Sequence, residues 1–237
     1  MPKRSAKEKK IKKTPKKKKK PRSRRCELEW RYDILYRWHA AVRVLLEMFF
    51  DRGHPTDPEL YKDTVTVDVF LGAVMHVWNP ATGFVFEIPP SQRVPEPTTV
   101  CFCRLESLGV KDLRELLKVL EPCKSKKLVL VLTHLPKPSV VTQTPPDTEI
   151  FTLDQLSCNI TKHFLVPQHR LMTKSNVRKV LKRLRVDSAS VFNKILVTDP
   201  ICRYYGAKVG QVFEIRRSTP EGHSFRTWRV VTRVPLK

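Results

Sequence analysis

Two carboxylates stand where a metal-dependent phosphodiester-cleaving site would want them. Asp68 lies in an alternating Val/Thr stretch, and Glu87 lies in an apolar run that starts at Gly83. On adjacent strands such a pair holds Mg²⁺, and a lysine two places beyond the second acid polarises the scissile phosphate. Here Glu87 is followed by Ile88 and Pro89, so the lysine is missing and proline stops the strand. Other constellations fail earlier. There is no G-x-S-x-G, no P-loop, no G-x-G-x-x-G and no H-x-x-x-H, and seven glycines leave little material for a phosphate cradle. None of the six cysteines forms C-x-x-C. Cys101 and Cys103 would share one side of a strand with no second pair at metal-ligand spacing. The expectation is a chain with no catalytic residues, no metal, no cofactor and no small-molecule substrate.

Charge points elsewhere. Residues 1–25 hold eleven lysines and four arginines against one glutamate, so +9 of the chain's +23 falls on residues 26–237. Ile11 is the only aliphatic residue beyond the start that this tail could bury, too little to offset chain entropy. It reads as a disordered basic arm. Within it Lys16, Lys17, Lys18, Lys19 and Lys20, bracketed by Pro15 and Pro21, form a nuclear-import peptide. A nucleic-acid arm and a plain solvated tail are the competing readings. The basic body favours polyanions or is simply a soluble face. The lysine-rich start gives the expectation of no secretory leader, and no apolar run reaches the ~18 residues of a membrane span. The cysteines then read as reduced, buried small residues in an intracellular protein.

The elements that would position any site follow from periodicity. Trp30, Ile34, Trp38, Ala41, Val42, Leu45 and Phe49 recur at helical spacing, and Gly53 closes a helix over residues 28–52. Residues 65–71 alternate and predict a strand, with a turn at 79–83 and a hairpin partner at 83–88. A strand at 99–104, a short helix through Leu113 and Leu120 and a buried strand at 128–132 complete an α/β layer. A polar, proline-rich loop at 134–146 leaves that strand. Residues 149–158 read as strand and connector. Thr173 caps a helix with one apolar face (Val177, Val180, Leu181, Leu184) and cations on the others. Pro200 starts a short helix that Gly206 ends. Gly210 makes a turn, and a hairpin closes around residues 219–222. The fold class expected is α+β: a basic tail at 1–25, an α/β domain with a small mixed sheet at 26–156 and a smaller α+β domain at 157–237.

Residues 198–217 concentrate the turn formers Pro200, Gly206 and Gly210, and their residue types suit docking better than chemistry. Arg203, Lys208, Arg216 and Arg217 offer ion pairs, and Tyr204 and Tyr205 offer aromatic anchors. Asn159-Ile160-Thr161, His163, Leu165-Val166-Pro167, His169, Met172-Thr173, Asp199-Pro200, Arg203-Tyr204-Tyr205-Gly206, Lys208 and Gly210-Gln211-Val212 together resemble a known family. It is the shared subunit five of eukaryotic nuclear DNA-directed RNA polymerases, whose C-terminal domain has a small archaeal polymerase subunit as its counterpart. Residues 28–158 resemble the family's N-terminal jaw domain more loosely, with Asp51-Arg52-Gly53 as a local match, and the basic tail lies outside the resemblance.

The resemblance implies a non-catalytic subunit in the nucleus. Its partners would be the largest polymerase subunit, other polymerase subunits and downstream duplex DNA, with no membrane. Docking on the polymerase would fall to His163, Pro167, His169, Asp199, Pro200, Arg203, Tyr204, Gly206, Lys208 and Gly210. The family's DNA-facing loop would correspond to Lys137, Pro138 and Ser139. The family's lysine three places after the proline is Val141 here, so Lys137 takes its part. Val209 and Trp228 also depart from the family pattern. The alternative carried from charge alone is a stand-alone basic nucleic-acid-binding or chromatin protein.

Overall fold

The computed structural model describes residues 24–59, 61, 65–66, 68–70, 72–73, 83–90, 95–103, 108–121, 127–219 and 222–233, with side chains of the first helix described from Asp33. The import peptide Lys16–Lys20, the side chain of Trp30 and most of the turn at 79–83 lie outside the described residues. The chain divides after Ile34, and Leu35–Lys237 forms one unit that holds both sheets. The first unit ends in the opening turns of α1.

Helix α1 spans Arg24–Arg52. From Leu35 onward its apolar stripe is buried through Trp38, Ala41, Val42, Leu45, Met48 and Phe49. It stops at Gly53, whose φ is 95°. Gly53 N–H donates to Phe50 O and His54 N–H to Phe49 O, both at 2.9 Å. This paired closure needs a left-handed residue, which glycine supplies without a Cβ clash.

Among the described residues of the alternation at 65–71 there is no strand, contrary to expectation. Asp68, Val69 and Phe70 are helical. Phe70 N–H donates to Thr66 O, and Val65 N–H to Tyr61 O, each at 2.9 Å and at i to i−4 spacing. Thr66 Oγ1 accepts from Val69 N–H at 3.4 Å, and the Phe70 ring packs 5.4 Å from His39 and 5.7 Å from Phe84. A local cap and one buried aromatic outweigh β-branched propensity that has no strand to pair with.

The hairpin partner of β1 (Phe84–Ile88) is therefore β2 (Thr98–Phe102), antiparallel, with Phe84 opposite Phe102. After α2 (Val110–Leu120) comes β3 (Lys127–Leu132), parallel to β2. After the four-residue α3 (Pro138–Val141) comes β4 (Thr148–Thr152), parallel to β3. The sheet order is β1-β2-β3-β4. Strands β2 and β3 have no polar face because both faces are covered. Leu128, Leu130 and Leu132 meet Leu113, Leu116 and Leu120 of α2, while the Phe102 ring lies 5.5 Å from Trp38 of α1. Each fully buried leucine contributes about 1.5–3 kcal/mol.

The second sheet has the order β5-β7-β8-β6. Its strands are β5 (Gln168–Leu171), β6 (Asn193–Leu196), β7 (Val212–Ser218) and β8 (Ser224–Thr232). Between them lie α4 (Lys174–Leu184) and α5 (Pro200–Tyr204). Phe213, Ile215, Val231 and Ile195 on one sheet face enclose Ile201 and Cys202 of α5. Thr173 caps α4, accepting from Asn176 N–H at 3.4 Å. Helix α4 buries none of its residues, however, and its apolar face is only half covered, with Leu184 41 % exposed. Helices and two mixed sheets make the molecule α+β.

Candidate functional site

The block at residues 198–217 is built by its caps. Asp199 Oδ1 accepts the Ile201 N–H at 2.9 Å, and Pro200 occupies the first helical turn. Gly206, φ 58°, closes α5 as Gly53 closes α1: Gly206 N–H reaches Arg203 O at 3.1 Å and Ala207 N–H reaches Cys202 O at 2.8 Å. Gly210 N–H donates to Val231 O at 3.0 Å, and Gln211 Oε1 accepts from Lys208 N–H at 2.6 Å. The chain thus enters β7 directly from a tightly tied turn.

The end of α1 is bonded into this block. Arg52 Nε donates to Tyr204 O at 2.8 Å, and its Nη2 donates to Arg203 O at 2.7 Å. The same guanidinium holds both oxygens of Glu149, Nη1 to Oε1 at 2.9 Å and Nη2 to Oε2 at 2.8 Å. One planar cation therefore satisfies two α5 carbonyls and one carboxylate of β4, which suits arginine's fixed fork of donors. Beside it Tyr204 O–H donates to Asp51 Oδ2 at 2.8 Å and accepts from Asn159 Nδ2 at 3.0 Å. Asn159 Nδ2 also donates to Glu47 Oε2 at 2.6 Å. Arg203 donates to Gln155 Oε1 at 3.0 Å and to the Ile150 carbonyl, with its guanidinium 4.6 Å from the Phe151 ring centroid. Glu47, Asp51 and Arg52 thus form the helix side of a polar seam; the outer pairs Lys162–Glu47 and Arg37–Asp154 are exposed and contribute roughly 0–1 kcal/mol each.

Burial pushes the Tyr204 phenol well above its usual range, raises the Tyr205 phenol and pushes the Cys202 thiol up to about 12. It holds His54 and His169 below the usual histidine value. In every case the neutral form is the folded form. For the phenols and thiol, stability is complete below the unfolded values of about 8.5–10 and is lost as pH climbs toward the folded ones; for the histidines it falls as pH drops below about 6.5. Thermal melts across pH should therefore show a plateau between about pH 7 and 8 with losses on both sides. Tyr204→Phe should flatten the alkaline limb. An alkaline limb unchanged by it would contradict the burial argument.

Other residues singled out from sequence are placed as follows. His169 Nδ1–H donates to Pro167 O at 2.6 Å, its carbonyl accepts from Tyr205 O–H at 3.1 Å, and its ring lies against Phe213. His163 is exposed; its Nδ1 accepts from Leu165 N–H at 3.3 Å, and its ring stacks on Phe164. Lys208, Pro200, Gly206 and Gly210 are exposed. Lys137 caps α3, with Pro138 and Ser139 in its first turn, all three exposed at the end of buried β3. Tyr204 faces α1 and the Arg203 side chain faces β4 and the turn after it, so the block's exposed members are a subset of those expected. Sequence reasoning missed Phe164, 88 % exposed, and gave no docking role to Leu165, 72 % exposed; both stand just before β5. An aromatic beside a histidine in a polar stretch was the available signal.

Asp68 lies on a helical turn, while Glu87 lies on β1 and accepts from Thr99 Oγ1 at 3.4 Å, so the two acids are not on neighbouring strands. Among the described residues no three His, Cys, Asp or Glu side chains gather to hold a metal, and no helix is long and apolar enough to cross a membrane. Cys101, Cys103 and Cys202 are buried, but Cys158 is exposed, against the expectation of uniform burial: it follows the turn at Leu153–Leu156 on the surface.

Residues 158–231 match the family model for the C-terminal domain of RNA polymerase Rpb5. The chain is 26 % identical over 203 residues to DNA-directed RNA polymerases I, II, and III subunit RPABC1 of Caenorhabditis elegans, covering 83 % of this chain and 96 % of that one. It is 24 % identical over 212 residues to DNA-directed RNA polymerases IV and V subunit 5B of Arabidopsis thaliana, covering 83 % and 90 %. Over 72 residues it is 39 % identical to DNA-directed RNA polymerase subunit Rpo5 of Methanothermobacter thermautotrophicus, covering 30 % of this chain and 92 % of the archaeal one.

Proposed function

Because the chain belongs to the RNA polymerase subunit 5 family, we propose that it is a non-catalytic structural subunit of a nuclear DNA-dependent RNA polymerase. In this reading residues 157–237 dock on the largest subunit, and the jaw domain, residues 26–156, faces downstream duplex DNA. The observation that carries the reading is the match at residues 158–231, a segment nearly as long as the whole archaeal relative. That length supports treating it as a separable docking module.

The surface supports the same division. Phe164 and Leu165 stand out of the module with most of their apolar area in water, which is the character of interface anchors. His163, Pro200, Lys208 and Gly210 would meet the partner around them. Arg203 and Tyr204 keep the block's shape through α1. On the DNA side, Lys137 at the tip of α3 is exposed and contacts phosphate. Lys16–Lys20 directs import to the nucleus.

Affinity purification of the tagged full chain from its own cells tests this. The largest polymerase subunits should be recovered with it. Phe164→Glu combined with Leu165→Glu should lower that recovery at least tenfold without changing the melting temperature, because both side chains lie in water in the free chain. Purification without any polymerase subunit would remove the proposal, and salt-sensitive DNA binding alone would then favour the chromatin-protein alternative.

A further inference from the structure

Helix α4 is unusual in what it leaves in water. Lys174, Arg178, Lys179, Lys182, Arg183 and, just past its end, Arg185 carry its charge, with no acid between Lys174 and Arg185. At 3.6 residues per turn these cations fill one half of the helix circumference, while Val177, Val180, Leu181 and Leu184 occupy the other. Lys174, Arg178 and Lys182 form a line with a spacing of about 6 Å. Among the described residues, no carboxylate pairs with any of the six.

The cationic surface continues onto the sheet. Arg183 of α4 lies over the Trp228 ring, 5.7 Å from its centroid. Trp228 is directly across from Glu214, and Arg226 is across from Arg216, so these four side chains share one sheet face. Arg170 on β5 is across from Glu214 and joins them. Around Arg170, Glu214 and Arg216 opens a groove of about 320 Å³. Among the described residues that line it, Glu214 is the one acid, and it is held by Arg226 at 3.2 Å. Arg170 and Arg216 remain exposed, without a carboxylate partner among the described residues.

We propose that the cationic half of α4 and the groove beside Trp228 form one surface that binds the phosphate backbone of duplex nucleic acid, separate from the basic tail and from Lys137. An acidic peptide fits the surface less well. Peptide recognition takes its energy from apolar anchors in pockets, whereas the cationic half of α4 carries no apolar residue, only charge in a line. Phosphate contacts need that arrangement and nothing more. The surface stands on its own charges and does not depend on the assignment of the chain to a polymerase.

The test uses the full chain and a mixed-sequence 20-base-pair DNA duplex, with affinity measured across salt concentrations. The triple variant Lys174→Gln, Arg178→Gln, Lys182→Gln removes three cations that hold no carboxylate, so it should keep the parent's melting temperature. Each lost phosphate contact flattens the slope of log affinity against log salt by ~0.9, so the triple variant should lose up to about 2.7 in slope. Amine labelling with and without DNA reads the same surface directly: Lys174, Lys179 and Lys182 should be protected. An unchanged slope with those lysines labelled as fast as before, and protection confined to Lys16–Lys20, would overturn the proposal. So would tighter binding of a poly-glutamate peptide than of DNA at equal charge, which would make the surface a dock for an acidic protein.

Discussion

Arg52→Ala should lower the unfolding free energy of the full chain by about 3 kcal/mol. The side chain is 11 % exposed and makes four hydrogen bonds. Its removal takes away the donor to Tyr204 O, leaves Arg203 O with the Gly206 N–H alone, and leaves Glu149 without its cation. Each charged bond to a carbonyl contributes about 1.5 kcal/mol, and a fully buried ion pair would add more than the rest together. Glu149 is 39 % exposed, so water screens part of that pair and the total stays near the lower bound. Arg52→Lys should recover less than half, since an ammonium cannot span two carbonyls and a bidentate carboxylate at once. Urea unfolding followed by circular dichroism reads the change as a lower midpoint at constant slope. A loss below about 1 kcal/mol would mean that the seam is held by its apolar contacts.

Gly206→Val should cost nearly as much, about 2–3 kcal/mol, for a different reason. Gly206 has a φ of 58°, a region that a β-branched residue enters only at a cost of about 1–3 kcal/mol. A Cβ there would also stand 3.3 Å from Arg52 Cζ and 3.5 Å from its Nε and Nη1. The guanidinium cannot retreat without lengthening its bonds to residues 203 and 204. Gly210 separates the two effects: its φ is 88°, but nothing lies within 4 Å of the added Cβ, so Gly210→Val carries strain alone. The Gly206 variant should therefore be the more damaging, and the difference should shrink in an Arg52→Ala background. Equal losses at both glycines would show that the approach to Arg52 contributes nothing.

What was legible in the sequence was whatever repeated locally. The α1 stripe, the buried run of β3, the α5 start at Asp199–Pro200 and the β7–β8 hairpin all follow from periodicity or a turn residue within a few positions. Residues 65–71 misled because Val and Thr alternate there, while the deciding contact, Phe70 against His39 and Phe84, is tertiary. Strands β5 and β6 have four residues each, and the inward side of β5 carries His169 and Leu171, so the sequence shows no run of alternating apolar residues there. The seam was invisible for a further reason. Asp51-Arg52-Gly53 reads locally as a helix end, and its partners lie 97 to 153 residues away. The block at residues 198–217 was conspicuous by its turn formers, yet Arg203 and Tyr204, which look like free anchors in the sequence, are bonded to α1 and β4.

The Arg52 cluster also has a mechanical meaning. Its four bonds run from one rigid group to two elements, α5 and β4, so the joint opens only if they break together. From Leu35 to Arg52 the helix is a strut of about 27 Å with the Trp38–Phe102 contact along its length and the Pro200–Gly210 block at its end. A push on the first sheet is then not absorbed at the seam. It should pass down the strut and reach the Pro200–Gly210 turn as displacement, with the helix acting as a stiff lever.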